Sequence, residues 1–367
     1  MNSGDFHPNW FSKPGDTLSN LLSRKSVTLD AFAKDTDWGV DRVRGLLEGS
    51  IKIDDSIAAK LAHHLGGTKQ FWLNRQASYD KALNRAVDSV PVAERDLWLK
   101  QFPQSDIASY GWVNKSVNRK EALKAYLSYF SVNGPSEWHS RYATIFEDFA
   151  FRTSPSMQSK IGPLSAWLRR GEIEADLLQC KPLSISTLKS NVDDMRKLTK
   201  VKNPTYFLPR LRNLCADAGV AVVFVRAPSG CRASGATRYL SSDKAMIILS
   251  FRHLSDDQFW FTFFHELGHV ILHSPSQTFV DDGMEGKSEQ EIEANAFAAD
   301  ILVPRERREE LSDLKPGSQS VIRFATSIGI APGIVVGQLQ HSGIIRRNQL
   351  NFLKRYHRWD AIASAVN

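Results

Sequence analysis

A chain of 367 residues exceeds one small core and is read as two or three domains of ordinary size. Its 42% hydrophobic and 24% charged residues exclude a disordered polymer, and a net charge of +7 favours acidic partners, of which nucleic acid is the commonest. Three scattered cysteines, Cys180, Cys215 and Cys231, exclude a disulfide scaffold and fit a reducing compartment. The N-terminus lacks a basic segment followed by an apolar run, and no apolar stretch reaches spanning length, so a cytoplasmic protein without a membrane partner is expected.

The first segment, 14–82, reads as short helices. Leu18, Leu21 and Leu22 give one apolar face, and Leu29, Phe32 and Ala33 a second behind Thr28 as N-cap. Trp38, Val40, Val43, Leu46 and Leu47 give a third, closed by Gly49. A fourth helix runs from Asp55 to Leu65, with Ile57, Ala58, Leu61 and Ala62 inward and Gly66–Gly67 as its stop. Thr68 caps a fifth that carries Phe71, Trp72, Ala77 and Tyr79. The second and third helices, parted by a tight turn at 35–37, have helix-turn-helix spacing, which a general helical bundle also shows.

The strings PGDTLSNLL, LDAFAKDTDW, VRGLLEG, IDDSIAAKLAHHLGG and TKQFWLNRQASYDKAL resemble the DNA-binding domain of HigA-type antitoxins and related XRE-family regulators. That resemblance implies a third helix entering the major groove of double-stranded DNA at the protein's own promoter or operator, bound as a homodimer. Carried over, the contact candidates are Val40, Asp41, Arg42 and Arg44, with Lys52 on a phosphate and Trp38 in the core. Asp37 and Asp41 depart from the pattern by setting acid near a phosphate backbone, and Gly39 weakens the helix start.

The middle, 83–203, is a series of amphipathic helical stretches: ERDLWLKQF, RKEALKAYLSYF, YATIFEDFAF, GPLSAWLRRGEIEADLL and PLSISTLKSNVDDMRKLTK. Aromatics on such faces belong to cores far more often than to contact surfaces. From about 204 the periodicity changes. PTYFLPRLRNLCADAG is a helix ended by Gly219, followed by strands VAVVFV, TRYL and AMIILS. The loop APSGCRASGA lacks the spacing of a phosphate-binding loop. A helix from Asp256 to His273 follows, with Ser255 and Gln258 spaced as a capping box.

That helix contains HELGH. His265 and His269, four apart, project from one helix face toward one point and can fill half a tetrahedral zinc shell. Glu266, beside the first ligand, is placed to take a proton from water at the metal. Two histidines and a glutamate in so apolar a helix would be costly to bury without a task. The next acidic helix, SEQEIEANAFAADILVP, offers Glu289, Glu291 and Glu293. Glu291 lies three residues before Ala294 and seven before Ala298 and so shares their inward face, while Glu289 and Glu293 turn to solvent. Asn295, four residues on from Glu291, can bond a liganding histidine. His273 is read as a metal neighbour, a substrate contact or a cation at the helix C-terminus. Arg232, Arg238 and Tyr239, with His273, are candidates for substrate or oxyanion contact.

HELGH followed by EIEANAFAADILVP resembles the ImmA/IrrE family of zinc metallopeptidases, over about 204–345. The resemblance implies His265, His269 and Glu291 as zinc ligands, Glu266 as general base, and a protein substrate such as a repressor or antitoxin. The stretch IAPGIVVGQLQHSGIIRRNQLNFLKRYHRW is similar to the end of proteins that join this domain to a HigA-like one. The expected fold is therefore multidomain α+β. An all-α helix-turn-helix unit and a helical middle precede a zincin-like metallopeptidase domain with a small sheet and the HExxH helix, then a basic tail over 346–367. The expected function is a zinc endopeptidase coupled to a DNA-binding regulator. The alternative is an antitoxin or repressor that binds DNA and a partner toxin, its zinc site structural or rarely active.

Overall fold

Three of the N-terminal helices start on the same device. The side-chain oxygens of Thr28, Asp54 and Thr68 accept the N–H groups of Ala31, Ile57 and Phe71, each satisfying a donor that a first helical turn leaves over. They open α2 (Leu29–Asp35), α4 (Asp55–Leu65) and α5 (Lys69–Ser89), which join α1 (Pro14–Arg24) and α3 (Val40–Glu48). Phe32, Trp38, Val43, Ile57, Leu61 and Trp72 are buried together between them. Phe71 and Ala77 of α5 are exposed, and its inward row runs through Trp72, Tyr79 and Leu83.

The structure is a computed structural model that describes residues 12–142, 161–273, 279–281, 288–315 and 317–366. It divides into two compact units. Among the described residues, one comprises 12–142 and 161–169, the other those from 170 onward. Helix α5 carries the chain through residue 82 without a break, and the Tyr79 hydroxyl lies 2.8 Å from Ser128 Oγ in the helix Arg119–Phe130. Trp98, Phe102, Tyr126, Phe130, Trp138 and Tyr142 form one aromatic cluster, with neighbouring ring centroids such as Phe102 and Tyr126 only 4.9 Å apart. The expected helix YATIFEDFAF lies, beyond Tyr142, outside the described residues.

The second unit is built on a four-stranded sheet, β1 (Val220–Phe224), β2 (Gly235–Ser241), β3 (Lys244–Leu249) and β4 (Phe279–Asp281), in the order β1-β3-β2-β4. β1 and β3 are parallel, and β2 runs antiparallel to both β3 and β4. Every residue of β1 is buried, as its continuous apolar run requires of a strand covered on both faces. Gly219 feeds β1 at φ 85°, and a Cβ there would lie 2.3 Å from Leu183 Cα, so conformation and space both demand glycine. Val220, Val222, Ile247 and Leu249 share one core with the helix Asp256–Leu272. The opposite face takes the second half of the helix Ile161–Leu177, where Gly171 lets the backbone approach the Ile248 side chain.

Residues after 345 belong to this unit rather than trailing from it. Arg212 donates to the Val366 carbonyl, and the helix Trp359–Val366 packs on Pro204–Ala216. Tyr356 makes a β-bridge with Ser255, the residue before the long apolar helix. The capping box expected at Ser255 and Gln258 does not form, because Ser255 is held by that bridge and its side chain makes no cap bond. Asp256 Oδ1 accepts instead, 3.0 Å from the N–H groups of both Asp257 and Arg355. Lys354 Nζ lies 2.7 Å from Asp257 Oδ2 in a buried ion pair. Among the described residues, no single helix is long and apolar enough to cross a membrane.

Burial raises the Asp256 carboxyl from 3.8 to about 6. The folded chain therefore keeps this proton where the unfolded chain has lost it. The group's contribution is full below about pH 4 and is lost as pH rises through about 6, a change on the order of 3 kcal/mol. Asp256→Asn keeps an acceptor for the two N–H groups but cannot ionise. In denaturant unfolding at pH 4 and pH 7, the variant should gain stability relative to the parent across that interval. An identical pH dependence in both proteins would contradict this account.

Candidate metal centre

The helix Asp256–Leu272, here the motif helix, is buried along almost its whole length. β2 lies along it, and strand alternation sets the contact. Gly235, Thr237 and Tyr239 point to one side and meet the helix row Thr262, Glu266 and Val270. A Cβ on Gly235 would lie 2.7 Å from both Glu266 Oε1 and Thr262 Cγ2. The Thr237 hydroxyl lies 2.6 Å from Glu266 Oε2 and 3.0 Å from the Glu266 carbonyl oxygen. Tyr239 donates to the Val270 carbonyl at 3.3 Å. Arg238, one step along, is turned to the other face and pairs with Glu172.

The second contributor is the helix Glu289–Leu302, here the glutamate helix. Ser288 caps it, accepting the Glu291 N–H at 3.3 Å. Its buried row is Glu291, Ala294, Ala298 and Leu302, the inward face that periodicity indicates. Gly268 of the motif helix faces Ala294, and a Cβ at 268 would lie 3.2 Å from Ala294 Cα. Two small residues thus allow close helix packing, and side chains on either side of that contact converge.

His265, His269 and Glu291 are the side chains that converge. The two Nε2 atoms lie 3.1 Å apart. Glu291 Oε2 is 3.2 Å from His265 Nε2, and Glu291 Oε1 is 3.6 Å from His269 Nε2. All three residues are buried, and their ligand atoms lie within 4.8 Å of one another, close enough to hold one metal ion. Burial lowers the His269 imidazole, so it is neutral at pH 7, the form that binds metal. Burial alone would raise the Glu291 carboxyl, but the two imidazoles beside it outweigh that and hold it well below the ordinary carboxylate range. Two imidazole nitrogens and one carboxylate are a donor set that suits zinc in a site with an open fourth position.

Residues 215–328 match the IrrE N-terminal-like domain, family Peptidase M78. The match begins at the end of the helix before β1 and closes with the helix Ser318–Ile328, so sheet, motif helix and glutamate helix all fall within it. It supports a metallopeptidase-type activity for the C-terminal part of the chain. No curated protein matches the chain.

The remaining candidates are placed as follows. His265 Nδ1 meets Asn295 Oδ1 at 3.0 Å, so Asn295 does sit behind a histidine of the cluster. His273 ends the motif helix as its C-cap, its Nδ1 3.0 Å from His269 Nδ1 and its Nε2 3.0 Å from Glu293 Oε2. Glu293 is half exposed, as its helix position predicts, yet its carboxylate returns to His273. Arg238, a candidate for substrate or oxyanion contact, is directed by alternation away from the cluster and pairs with Glu172. Arg232 is exposed ahead of β2, and its carbonyl accepts from Arg252. Tyr239 reaches the motif-helix backbone rather than the cluster. Gly235 and Thr237 are absent from the sequence-based candidates, and Glu293 is set aside there as solvent-facing. Alternation within TRYL already puts Thr237 on the side of Tyr239, but which side faces the histidines depends on strand order.

In the other unit, α2 and α3 are joined by four residues, with Asp37 at φ 54° reversing the chain. Val40, Asp41 and Arg42 are exposed on the first turn of α3 and Trp38 is buried. Arg42 stacks over the Trp38 ring at 5.2 Å. Arg44 lies 3.8 Å from Glu48, and Lys52 pairs with Asp80 at 2.9 Å.

Gly235→Ala tests the contact between β2 and the motif helix. The added methyl should cost about 1–3 kcal/mol by overpacking and push the Glu266 carboxylate off Thr237. A crystal structure of the variant with Glu266 unmoved, at parental stability, would remove the close-approach account.

Proposed function

We propose that the chain is a zinc-dependent endopeptidase of the HExxH type coupled to a DNA-binding regulatory unit. The observation that carries the enzymatic half is the convergence of His265, His269 and Glu291 with Glu266 held beside them by Thr237. The match to a peptidase family over these same elements supports it. His265, His269 and Glu291 would hold zinc, which, when bound, supplies Lewis acidity toward water and a peptide carbonyl. Glu266 takes the proton of the attacking water and returns it to the leaving amine as the peptide bond breaks. Thr237 fixes the carboxylate for both transfers. The apolar walls of the motif helix keep bulk water from competing for it.

The substrate class proposed is a repressor or antitoxin-like protein, cut in the cytoplasm. Support for the DNA-binding half comes from the short α2–α3 connection and the exposed first turn of α3. The chain would bind its own promoter as a homodimer, since twofold symmetry is how such small units gain contact area. A second reading is favoured by the near-complete burial of His265, Glu266, His269 and Glu291. In it the metal is structural, and the protein acts as an antitoxin that binds DNA and a toxin.

Glu266→Gln separates the two. On the enzymatic reading the variant retains one equivalent of zinc and loses peptide cleavage by about 10²–10⁴-fold, as removal of a general base does. Metal analysis is paired with mass spectrometry of candidate repressors incubated with each protein. Parental turnover in the variant, or no cut by the parent, would refute the peptidase.

For the other half, Arg42→Ala should weaken binding to the promoter duplex by about 1–3 kcal/mol while binding to random duplex changes less. Equal loss on both sequences in a shift assay at moderate salt would assign Arg42 to phosphate contact alone. No preference for the promoter by the parent would end the operator proposal.

A further inference from the structure

The zinc reading uses three side chains and leaves a second histidine pair unexplained. His273 ends the motif helix with its side chain almost wholly buried, between His269 and the half-exposed Glu293. A C-terminal histidine that served the helix field alone would have no reason to turn its ring back onto a histidine one turn earlier. The chain of contacts runs Glu293 Oε2, His273 Nε2, His273 Nδ1, His269 Nδ1, and each nitrogen link is 3.0 Å long.

Hydrogen-bond chemistry allows one neutral assignment along that chain. A carboxylate oxygen only accepts, so His273 carries its proton on Nε2 and donates it to Glu293. Its Nδ1 then holds a lone pair and accepts from His269, whose proton is therefore on Nδ1. That leaves the lone pair of His269 on Nε2, the atom 3.1 Å from His265 Nε2 and 3.6 Å from Glu291 Oε1. On the other ring, Asn295 Oδ1 selects the same tautomer of His265 through its 3.0 Å contact to Nδ1. The two rings differ in what lies behind them: a neutral amide for His265, and an imidazole backed by a negative charge for His269.

The geometry points to His273 and Glu293 as a positioning pair that fixes the ring and tautomer of His269 and raises its basicity toward the metal. This rests on the zinc reading above. The carboxylate acts through His273, because Glu291 and not Glu293 is the glutamate within reach of the two Nε2 atoms. Outer partners of liganding histidines commonly account for roughly 10–100-fold in metal affinity.

The test is a set of full-length proteins: parent, His273→Ala, Glu293→Gln and the double variant. Each is titrated with zinc against a chromophoric chelator at pH 7.5, with metal-free unfolding measured alongside. Expected is a loss of zinc affinity of about 10–100-fold in His273→Ala and a smaller loss in Glu293→Gln. The double variant should be no weaker than His273→Ala, since the carboxylate has nothing to act on once the imidazole is gone. Histidine ¹⁵N spectra of metal-free protein should show His269 protonated on Nδ1 in the parent and mixed tautomers in His273→Ala, a signature that a purely structural role would not move. Parental zinc affinity in either single variant, or full additivity in the double, overturns the pair while leaving the zinc centre standing. A parent that takes up no zinc overturns both. Glu293→Gln, at an exposed position, keeps the test open should His273→Ala fold poorly.

Discussion

Two imidazole nitrogens held 3.1 Å apart, with a carboxylate on the same side, form an arrangement that an apolar interior does not adopt by default. Both rings have Nδ1 turned outward to other groups, so both Nε2 atoms are directed into one small region. Lone pairs at that distance repel unless a cation or a proton lies between them, and burying three polar side chains carries a further desolvation cost. The rest of the C-terminal unit serves to impose this convergence. Gly268 and Ala294 bring two helices close enough for it, Ser288 sets the start of the second helix, and β2 supplies a hydroxyl for the glutamate between the histidines.

Elements well removed in sequence hold the two helices at their ends. Arg196 donates to the carbonyls of Ile301, Leu302 and Ile328, so one guanidinium satisfies the C-terminal groups of the glutamate helix and of the helix Ser318–Ile328 together. The N-terminal end of the motif helix is clasped by 354–357 through Asp256, Asp257 and the Ser255 bridge. Gly333 and Gly337 of the helix Pro332–His341 let that helix lie against the two aspartates, where a Cβ would be 2.6 Å from Asp256 Oδ1 or 2.7 Å from Asp257 Oδ2. A carboxylate pair at a helix N-terminus is favoured by the helix field. Because a motif helix anchored this way cannot rotate or slide independently, a tilt of its histidines requires displacement of the clasp.

How much of this was legible in the amino-acid sequence follows from how local each constraint is. The HELGH spacing and the inward row of Glu291, Ala294 and Ala298 depend on helical periodicity alone, and they place three converging side chains correctly. Asn295 follows from the same row. The direction of Arg238 was not legible because it depends on β2 lying between β3 and β4 with one face against the motif helix, which is a long-range fact. Thr237 and Gly235 went unnoticed for the same reason. Glu293 was read correctly as solvent-facing, yet a long side chain at a helix edge can return to a buried partner, and only the position of His273 shows that it does. The Ser255 capping box failed because a segment a hundred residues later took over the helix start.

Charge around α3 bears on the proposed DNA binding in a way composition does not reveal. Lys52 and Arg44 are each engaged with an acid, Asp80 and Glu48, in pairs that retain solvent contact. Exposed pairs of this kind contribute only about 0–1 kcal/mol, so exchanging Asp80 for a phosphate oxygen costs little and leaves Asp80 solvated. Arg42 differs, because its guanidinium lies over the Trp38 ring and is held in one place without consuming its donors on a carboxylate. On the DNA-binding proposal, less side-chain entropy would then be lost on contact with a base edge. Asp41 is exposed beside it on the same turn, and on that proposal it would work against phosphate attraction and favour a contact in which an acceptor is wanted, such as a cytosine amine. Specificity in this unit would then come from few, well-oriented groups on α3 rather than from the net charge of the chain.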